Sequence, residues 1–369
     1  MVCFNNLLPR DKDTFKSNSG SSILNKNERV LMLKKVFSLE GNSDEYQFKD
    51  PIRFDIGEDG SIFIMDRNRA LYKFSEEGIF QKNLLIKGEG PGELKRLFRF
   101  FIDNNRVILF DHFPNKIVEK DFKGKFINNF SIPERKLKVV ILLGIESGLF
   151  FFSIAEDGNI PKKLSKEYRE FSRKIFFHTW KNGEKNIKKG ESFYIDHSRW
   201  KRKQKYIIGG TSPLNAFEIS NVKNGSAYFI NSFDYKIKKL DVHDLKIKNE
   251  FGRPYVRVKY FHPPEYLEEM RREKKSVEDP EKKHFQAVQK LINRGTEVWA
   301  VTSTFKKDKG ILVDVFSPDG TYMDKFYLPL PEITSSHLPE FNIVDNKIVI
   351  LGKDEDENHI INIYEIVDL

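Results

Sequence analysis

Cysteine is almost absent from this chain, since its 369 residues include a single one, Cys3. One cysteine excludes an internal disulfide framework. Long apolar runs are also missing: no stretch of about 18 apolar residues occurs, so we predict no transmembrane span. With 32% charged residues and 39% hydrophobic residues, the composition is typical of a soluble globular protein.

Motifs for catalysis, metals and cofactors are lacking as well. The eight histidines are scattered, and none form an i,i+4 pair or a His-x-His motif. Gly88 to Leu94 (GEGPGEL) is rich in glycine, but a phosphate-binding Walker loop ends in Lys-Ser/Thr and opens a helix. Here Glu93 and Leu94 precede another strand, which favours a rigid crossing between sheets. We predict no catalytic residue, no metal-ligand set and no cofactor.

What the chain does have is a repeat of short strands. Its clearest copy, Phe48 to Leu94, contains four apolar-rich runs separated by turns such as Asp59-Gly60. Equivalent turns recur at positions 60, 105, 148, 225, 295 and 346, with uninterrupted steps of 45, 43 and 51 residues. Four strands in about 40–50 residues is typical of one propeller blade. Six turns therefore predict an all-β, six-bladed β-propeller with four-stranded blades.

The two ends of the repeat predict how the ring closes. The last copy stops after its third strand, while an additional strand, Arg29 to Leu39, precedes the first blade. We predict that this N-terminal strand supplies the outer strand of blade six, which removes an exposed sheet edge. The domain organisation is then a flexible tether over residues 1–27 and a propeller over residues 28–369, with insertions near 155–205 and 254–284. The second insertion has the charge pattern of a short helix that Pro263 and Pro264 open.

Two signatures carry a family resemblance. One is an Asp/Asn turn followed by an apolar strand and a glycine, and the other is the GEGPGEL loop at 88–94. The first signature occurs twice, as Asp66, Asn68, Arg69, Phe74 and Gly78 and as Asp111, Asn115, Lys116, Ile117 and Gly124. Over about residues 30–369 the chain thereby resembles the bacterial six-bladed β-propeller family related to NHL-repeat proteins. The resemblance implies that the glycine-rich loop links blades one and two, and it implies no particular chemistry.

Many proteins of that family resemble exported lipoproteins, which leaves two alternatives for localisation. If the start is truncated or misassigned, Cys3 is the lipidated residue of a periplasmic or cell-envelope lipoprotein. The polar segment Asp11 to Asn27 then serves as its flexible tether. Otherwise the protein is cytoplasmic and Cys3 is incidental.

Candidate ligand-binding residues follow from the predicted ring, because the first strand of each blade lines the central channel. Arg53, Arg96 and Arg99 lie on or beside such strands, where a guanidinium can bind an anion through two aligned hydrogen bonds. Pairing of these arginines with Asp50, Asp55 or Glu93 is the favoured interpretation. Together with two loops at the channel mouth, the predicted ligand site comprises Arg53, Asp66, Arg67, Arg69, Arg99, Asp111, His112 and Asn115.

A second candidate site is basic. Residues 173–205 contain eleven Lys or Arg against three Asp or Glu, interleaved with aromatic residues. Such a surface suits RNA or another polyanion, because cations neutralise phosphates and aromatic rings stack on bases. The favoured interpretation is a solvated edge on which lysines prevent strand pairing. The candidate polyanion-binding residues are Arg199, Trp200, Lys201, Arg202 and Lys203.

From these features we predict a non-catalytic propeller that binds a small molecule, glycan or peptide, at the cell envelope if the protein is exported. Two alternatives stay open. One is a metal-dependent hydrolase or lyase that uses the central channel, as lyases and lactonases on this fold do. The other is an RNA- or polyanion-binding propeller that uses residues 173–205. We expect a monomer.

Overall fold

Apolar runs bounded by turn residues form short antiparallel strands throughout the computed structural model of this chain. The structure describes residues 16–17, 29–41, 43–67, 70–111, 115–133, 140–157, 168–203, 206–211, 217–262, 264–274, 283–331 and 336–367. The turn between the first and second strands of a blade needs a left-handed backbone. Gly60 (φ 77°), Asn105 (φ 58°) and Gly148 (φ 75°) supply it in the first three blades.

Two N-terminal strands, β1 (Lys16–Ser17) and β2 (Leu33–Leu39), precede the first blade. Blade one contains β3 (Pro51–Ile56), β4 (Ile62–Asp66), β5 (Ala70–Phe74) and β6 (Phe80–Asn83). Blade two contains β7 (Arg99–Asp103), β8 (Arg106–Asp111), β9 (Lys116–Asp121) and β10 (Phe126–Ser131). Blade three contains β11 (Val140–Glu146), β12 (Leu149–Asp157), β13 (Tyr168–Lys181), β14 (Lys188–Lys203) and β15 (Tyr206–Thr211).

The remaining three blades continue the ring. Blade four contains β16 (Glu218–Ile219), β17 (Ser226–Ile230), β18 (Ile237–Asp241) and β19 (Lys246–Gly252). Blade five contains β20 (Val288–Asn293), β21 (Val298–Lys306), β22 (Gly310–Phe316) and β23 (Tyr322–Leu328). Blade six contains β24 (Phe341–Val344), β25 (Lys347–Lys353) and β26 (His359–Ile366). The predicted six-bladed, all-β propeller is thus confirmed.

The N-terminal strand closes the ring as predicted. Strand β2 pairs antiparallel with β26, with Leu33 opposite Ile366 and Leu39 opposite Ile361, and so becomes the outer strand of blade six. Two blades carry a fifth strand that the sequence did not predict. In blade three it is β15, and in blade four it is β1, which pairs in parallel with β19. The other residues of the predicted tether lie outside the described residues.

Each interface between neighbouring blades is filled by apolar side chains from both. Some middle strands are covered on both faces and are buried along their whole length, as are all residues of β4 and β22. Full burial of one such side chain stabilises the fold by about 1.5–3 kcal/mol. Representative pairs of cluster members, in ring order from blades one and two, are Phe63 and Leu109, Ile108 and Phe152, Phe177 and Phe229, Tyr228 and Phe316, Trp299 and Ile350, and Val349 and Phe54.

The glycine-rich loop is a tight crossing between blades one and two. The Leu94 N–H donates to the carbonyl of Ile86 at 3.0 Å, and the Gly90 N–H donates to Oε2 of Glu93 at 2.9 Å. The Lys116 ammonium donates to three carbonyls of the same loop, at 2.7–3.1 Å. The polar groups of the loop therefore bind one another, which agrees with a structural rather than a phosphate-binding role.

The second insertion contains the helix α1 (Pro264–Arg272), which ends in two arginines, as its charge pattern predicts. The segment before it is attached to the ring through His337, whose Nε2 lies 3.0 Å from the carbonyl oxygen of Phe261. The rings of Tyr260 and Phe285 pack around the same imidazole. Within the described part of the chain, no helix is long and apolar enough to cross a membrane.

Candidate functional site

The inner strands of the six blades surround a central channel, which contains a cavity of about 710 Å³. In β3, Phe54 and Ile56 pack into the interface between blades six and one. Because side chains alternate along a strand, this packing turns Arg53 and Asp55 to the other face of β3. Both side chains line the cavity, as does Arg99 at the start of β7.

Arg53 and Arg99 are half-buried cations on neighbouring blades. The Arg53 guanidinium lies 5.8 Å from the ring centroid of Phe101, and Arg99 Nη1 donates to the Leu142 carbonyl at 3.1 Å. Among the described residues, no carboxylate oxygen lies within 4 Å of either guanidinium. Burial and the neighbouring Arg53 lower the pKa of Arg99 to about 9, so its guanidinium stays charged at neutral pH. Burial likewise lowers the pKa of Arg53.

Carboxyl groups also line the channel, and two of them are difficult to ionise. Burial raises the pKa of Asp55 to about 6, against the opposing effects of the Ile56 N–H and Arg53. Burial raises the pKa of Glu218 to about 7, although the Lys290 ammonium and the Leu291 N–H oppose that change. The channel therefore holds cations that keep their charge beside carboxyl groups that lose theirs near neutral pH.

The other side of the channel is contributed by blades five and six. The Lys290 ammonium lies 4.9 Å from the ring centroid of Phe341, and Glu340 lines the same cavity. Glu340 raises the pKa of Glu218, so the two carboxyl groups are electrostatically coupled across the channel.

Eight residues were predicted for the ligand site, and of the six that the structure describes, Arg53 and Arg99 line this cavity. Pairing of these arginines with Asp50, Asp55 or Glu93, favoured from the sequence, does not occur within 4 Å. Asp50 pairs instead with Arg67 at 3.0 Å, on the exposed surface. Asn115 occupies a left-handed turn position (φ 61°), whereas Arg69 and His112 lie outside the described residues.

Asp66 and Asp111 are buried and bind backbone amides. Oδ2 of Asp66 accepts hydrogen bonds from the N–H groups of Lys49 and Asp50, at 2.7 and 3.0 Å. Oδ2 of Asp111 accepts one from the N–H of Arg96 at 3.0 Å. In both blades the carboxylate ties the segment that enters the inner strand to the end of the second strand. The repeated Asp of the sequence signature therefore stabilises the blade.

The basic candidate residues 199–203 lie in β14, which pairs with β13 on one side and with β15 on the other. Their side chains fall outside the described part of the structure. Polyanion binding through this segment stays a prediction.

Three channel residues were missed from the sequence: Glu218, Lys290 and Glu340. Each comes from a different blade, but a common signal marks them. In five of the six blades a charged residue stands five to seven positions before the turn between the first two strands; these residues are Arg53, Arg99, Glu218, Lys290 and Glu340. Across the described residues, no group of three His, Cys, Asp or Glu side chains is arranged to hold a metal ion.

Three solved structures similar over most of their length are a Bacteroides fragilis protein provisionally described as exported, the WD40 domain of Pan2 from Neurospora crassa, and a gluconolactonase from Xanthomonas campestris. Their sequence identities are 13%, 9% and 10%, and their TM-scores are 0.47, 0.45 and 0.43. The alignments cover 91%, 93% and 93% of this chain and 96%, 98% and 96% of the respective structures.

No curated protein matches the chain. The sequence model of a family described as "6-bladed beta-propeller" matches residues 23–310, which is more than half of the chain. The protein therefore belongs to this six-bladed β-propeller family.

Proposed function

We propose that this protein is a binding module that holds a small anionic ligand in its central channel, with Arg53 and Arg99 as the groups that receive the anion. The observation that carries the proposal is the pair of channel guanidiniums without a carboxylate within 4 Å among the described residues. A carboxylate or phosphate fits this pair, because a guanidinium presents two parallel N–H donors to two oxygens.

The energetics support the same conclusion. Withdrawing a cation from water costs free energy unless a counter-charge or hydrogen bonds compensate. Arg99 has one backbone carbonyl as a partner, and Arg53 raises the cost by repulsion, which contributes to the lowered pKa of Arg99. An anion bound between the two guanidiniums would offset both the cost of their burial and the repulsion between them. Binding of the anion is therefore favoured by an electrostatic cost that the free protein carries.

The test is isothermal titration calorimetry with acetate, citrate and inorganic phosphate at constant ionic strength. We expect at least one of these probes to bind, and Arg53→Gln and Arg99→Gln each to weaken its binding about tenfold to hundredfold. This range corresponds to the loss of a charge-assisted hydrogen bond. Arg272→Gln is the matched control, because Arg272 is an exposed arginine of α1 that does not line the channel. Absence of binding for all three probes, or unchanged binding by both channel variants, would overturn the proposal.

One observation favours a second candidate function. A carboxyl group with a pKa of about 7 in an enclosed channel, as Glu218 has, suits proton transfer to or from a bound ligand. In that case the channel would be an active site. NMR spectra of a bound probe over hours distinguish the two functions, because a binding module leaves the probe chemically unchanged. Turnover that Glu218→Gln abolishes would favour the enzyme.

A further inference from the structure

The lining of the channel is charged on most blades and apolar on one side. At the position where five blades present a charged residue, blade three presents Ile141. Around it, Ile175 of β13 and Phe217 and Ile219 of blade four also line the cavity. We refer to Ile141, Ile175, Phe217 and Ile219 as the apolar wall.

The apolar wall is firmly supported from behind. Its four side chains are each partly exposed to the cavity and pack on the buried cluster between blades three and four. In that cluster the rings of Phe177 and Phe229 meet edge to face, with 5.2 Å between their centroids. A well-packed wall of this kind presents a fixed apolar surface to whatever occupies the channel.

The apolar wall lies next to the proposed anion site. The Arg99 guanidinium donates to the carbonyl of Leu142, which lies next to Ile141 in the inner strand of blade three. An anion held by Arg99 therefore has the apolar wall directly beside it. A cavity of about 710 Å³ is also much larger than a bare carboxylate requires, and it lies in the range of sites for ligands of drug-like size.

We infer that the ligand of the channel is a carboxylic acid with an apolar body, aromatic or aliphatic, whose carboxylate binds Arg53 and Arg99 and whose body lies on the apolar wall. This inference rests on the proposed function and specifies its ligand class. The carboxylate explains the charge of the site, and the body explains why one sector of an otherwise charged ring is apolar. Binding then removes apolar surface of both ligand and wall from water.

The experiment compares probes that share a carboxylate and differ in the body. Acetate has almost no body, succinate has a polar one, and 3-phenylpropanoate and octanoate have apolar ones. We expect 3-phenylpropanoate or octanoate to bind about 30-fold tighter than acetate or succinate, from burial of the body. Calorimetry at several temperatures should also give a negative heat-capacity change, the mark of apolar burial, for the two apolar acids.

Variants of the apolar wall distinguish the contribution of the ligand's apolar body to affinity from that of its carboxylate. Phe217→Ala and Ile219→Ala should each weaken binding of 3-phenylpropanoate by about tenfold while leaving the affinity for acetate unchanged. The matched control is Ile79→Ala, which shortens an apolar side chain that is 67% exposed and lies outside the channel. Using two wall variants keeps the test decisive if one of them folds poorly.

Failure of this inference is distinguishable from failure of the proposed function. If small anions bind through Arg53 and Arg99 but the apolar acids bind no tighter than acetate, the ligand class is wrong and the anion site stands. If the wall variants weaken acetate and 3-phenylpropanoate equally, the wall acts through the fold and the inference is also overturned. If none of the acids binds but inorganic phosphate does, the ligand class is wrong and the anion site stands. If neither the acids nor phosphate binds, both proposals fail.

Discussion

The central channel and the interface between blades four and five both contain partly buried arginines, and of these two sites only the interface places a described carboxylate within 4 Å of its arginine. Between blades four and five, Arg253 Nε donates to Oδ2 of the fully buried Asp314 at 2.8 Å. The hydroxyls of Tyr235 and Tyr322 donate to the same carboxylate at 2.6 and 3.1 Å. In the channel, Arg53 and Arg99 have no carboxylate within 4 Å among the described residues.

The pKa values of the arginines in the two sites shift in opposite directions. Burial alone would lower the pKa of Arg253, but the Asp314 carboxylate and its tyrosine partners reverse this effect and raise it. For Arg99, burial and the Arg53 charge act together and lower the pKa to about 9. The opposite pKa shifts of Arg253 and Arg99 indicate which of these arginines stabilises the fold. The protein supplies a carboxylate within hydrogen-bond distance where an arginine joins two blades, whereas the described residues place none within 4 Å of the channel pair.

The largest loss of stability is expected when the buried ion pair between Arg253 and Asp314 is broken. Asp314→Ala would leave Arg253 without its counter-charge and two tyrosine hydroxyls without their acceptor. Removing one member of a buried ion pair costs about 3–5 kcal/mol in the free energy of unfolding. Urea denaturation measures this loss as a lower midpoint at an unchanged slope.

An exposed ion pair provides the control for that experiment. Asp324 pairs with Arg29 at 2.9 Å, where both side chains remain accessible to solvent. Asp324→Ala should cost no more than about 1 kcal/mol, because solvent already screens such a pair. Equal losses for Asp314→Ala and Asp324→Ala would contradict the structural role assigned to the buried pair.

A smaller effect is expected from pH, and it belongs to the channel. The pKa of Glu218 is about 7 in the folded protein and about 4.5 in the unfolded chain, so the folded state binds its proton more tightly. The free energy of unfolding should therefore fall as pH rises from about 4.5 to 7, by about 1–3 kcal/mol. Asp55, with a pKa of about 6, adds to the fall over an overlapping range.

Glu218→Gln checks the assignment of that pH dependence. The variant keeps the size of the side chain and removes the titration, so stability should decline less over the same pH range. Urea midpoints at pH 4.5, 6 and 7.5 are sufficient. A decline as steep as that of the original protein would show that other groups produce it.

The fold could be predicted from the sequence because each blade repeats the same local requirement. The turn after every inner strand needs a left-handed residue, and positions such as Gly60 and Gly225 (φ 77° and 66°) mark these turns in the sequence itself. The closing strand β2 was predictable because the last blade is one strand short. The parallel pairing of β1 with β19 was not, since two residues carry no periodic signal.

The candidate site was predicted less completely, for a physical reason. Arg53 and Arg99 could be placed in the channel, but their partners were sought among neighbours in sequence. Arg53 and Asp55 share one face of β3 and influence each other's pKa, but no carboxylate oxygen of Asp55 lies within 4 Å of the Arg53 guanidinium. The groups that act on these arginines, such as Glu218 and Glu340, come from blades far along the chain. Only closure of the ring brings them together.

Substitution of Arg99 should change stability least, and it tests directly whether Arg99 differs from Arg253. Arg99→Gln removes a cation that has no carboxylate within 4 Å among the described residues, so the lost hydrogen bond to Leu142 is offset by relief of burial and of repulsion from Arg53. We expect the free energy of unfolding to change by less than about 1 kcal/mol. Arg253→Gln is the matched substitution in the buried ion pair. It should cost about 3 kcal/mol or more, because it isolates the Asp314 carboxylate.

Both free energies come from the same urea titrations, repeated with a saturating concentration of a probe acid that binds the channel. The probe should stabilise Arg253→Gln as much as the original protein, and Arg99→Gln much less, because stabilisation by a ligand follows its affinity for the folded state. Equal destabilisation by the two substitutions would mean that Arg99 serves the fold as Arg253 does. The lack of a nearby carboxylate would then give no reason to expect a bound anion, and the proposed anion site would lose its main support.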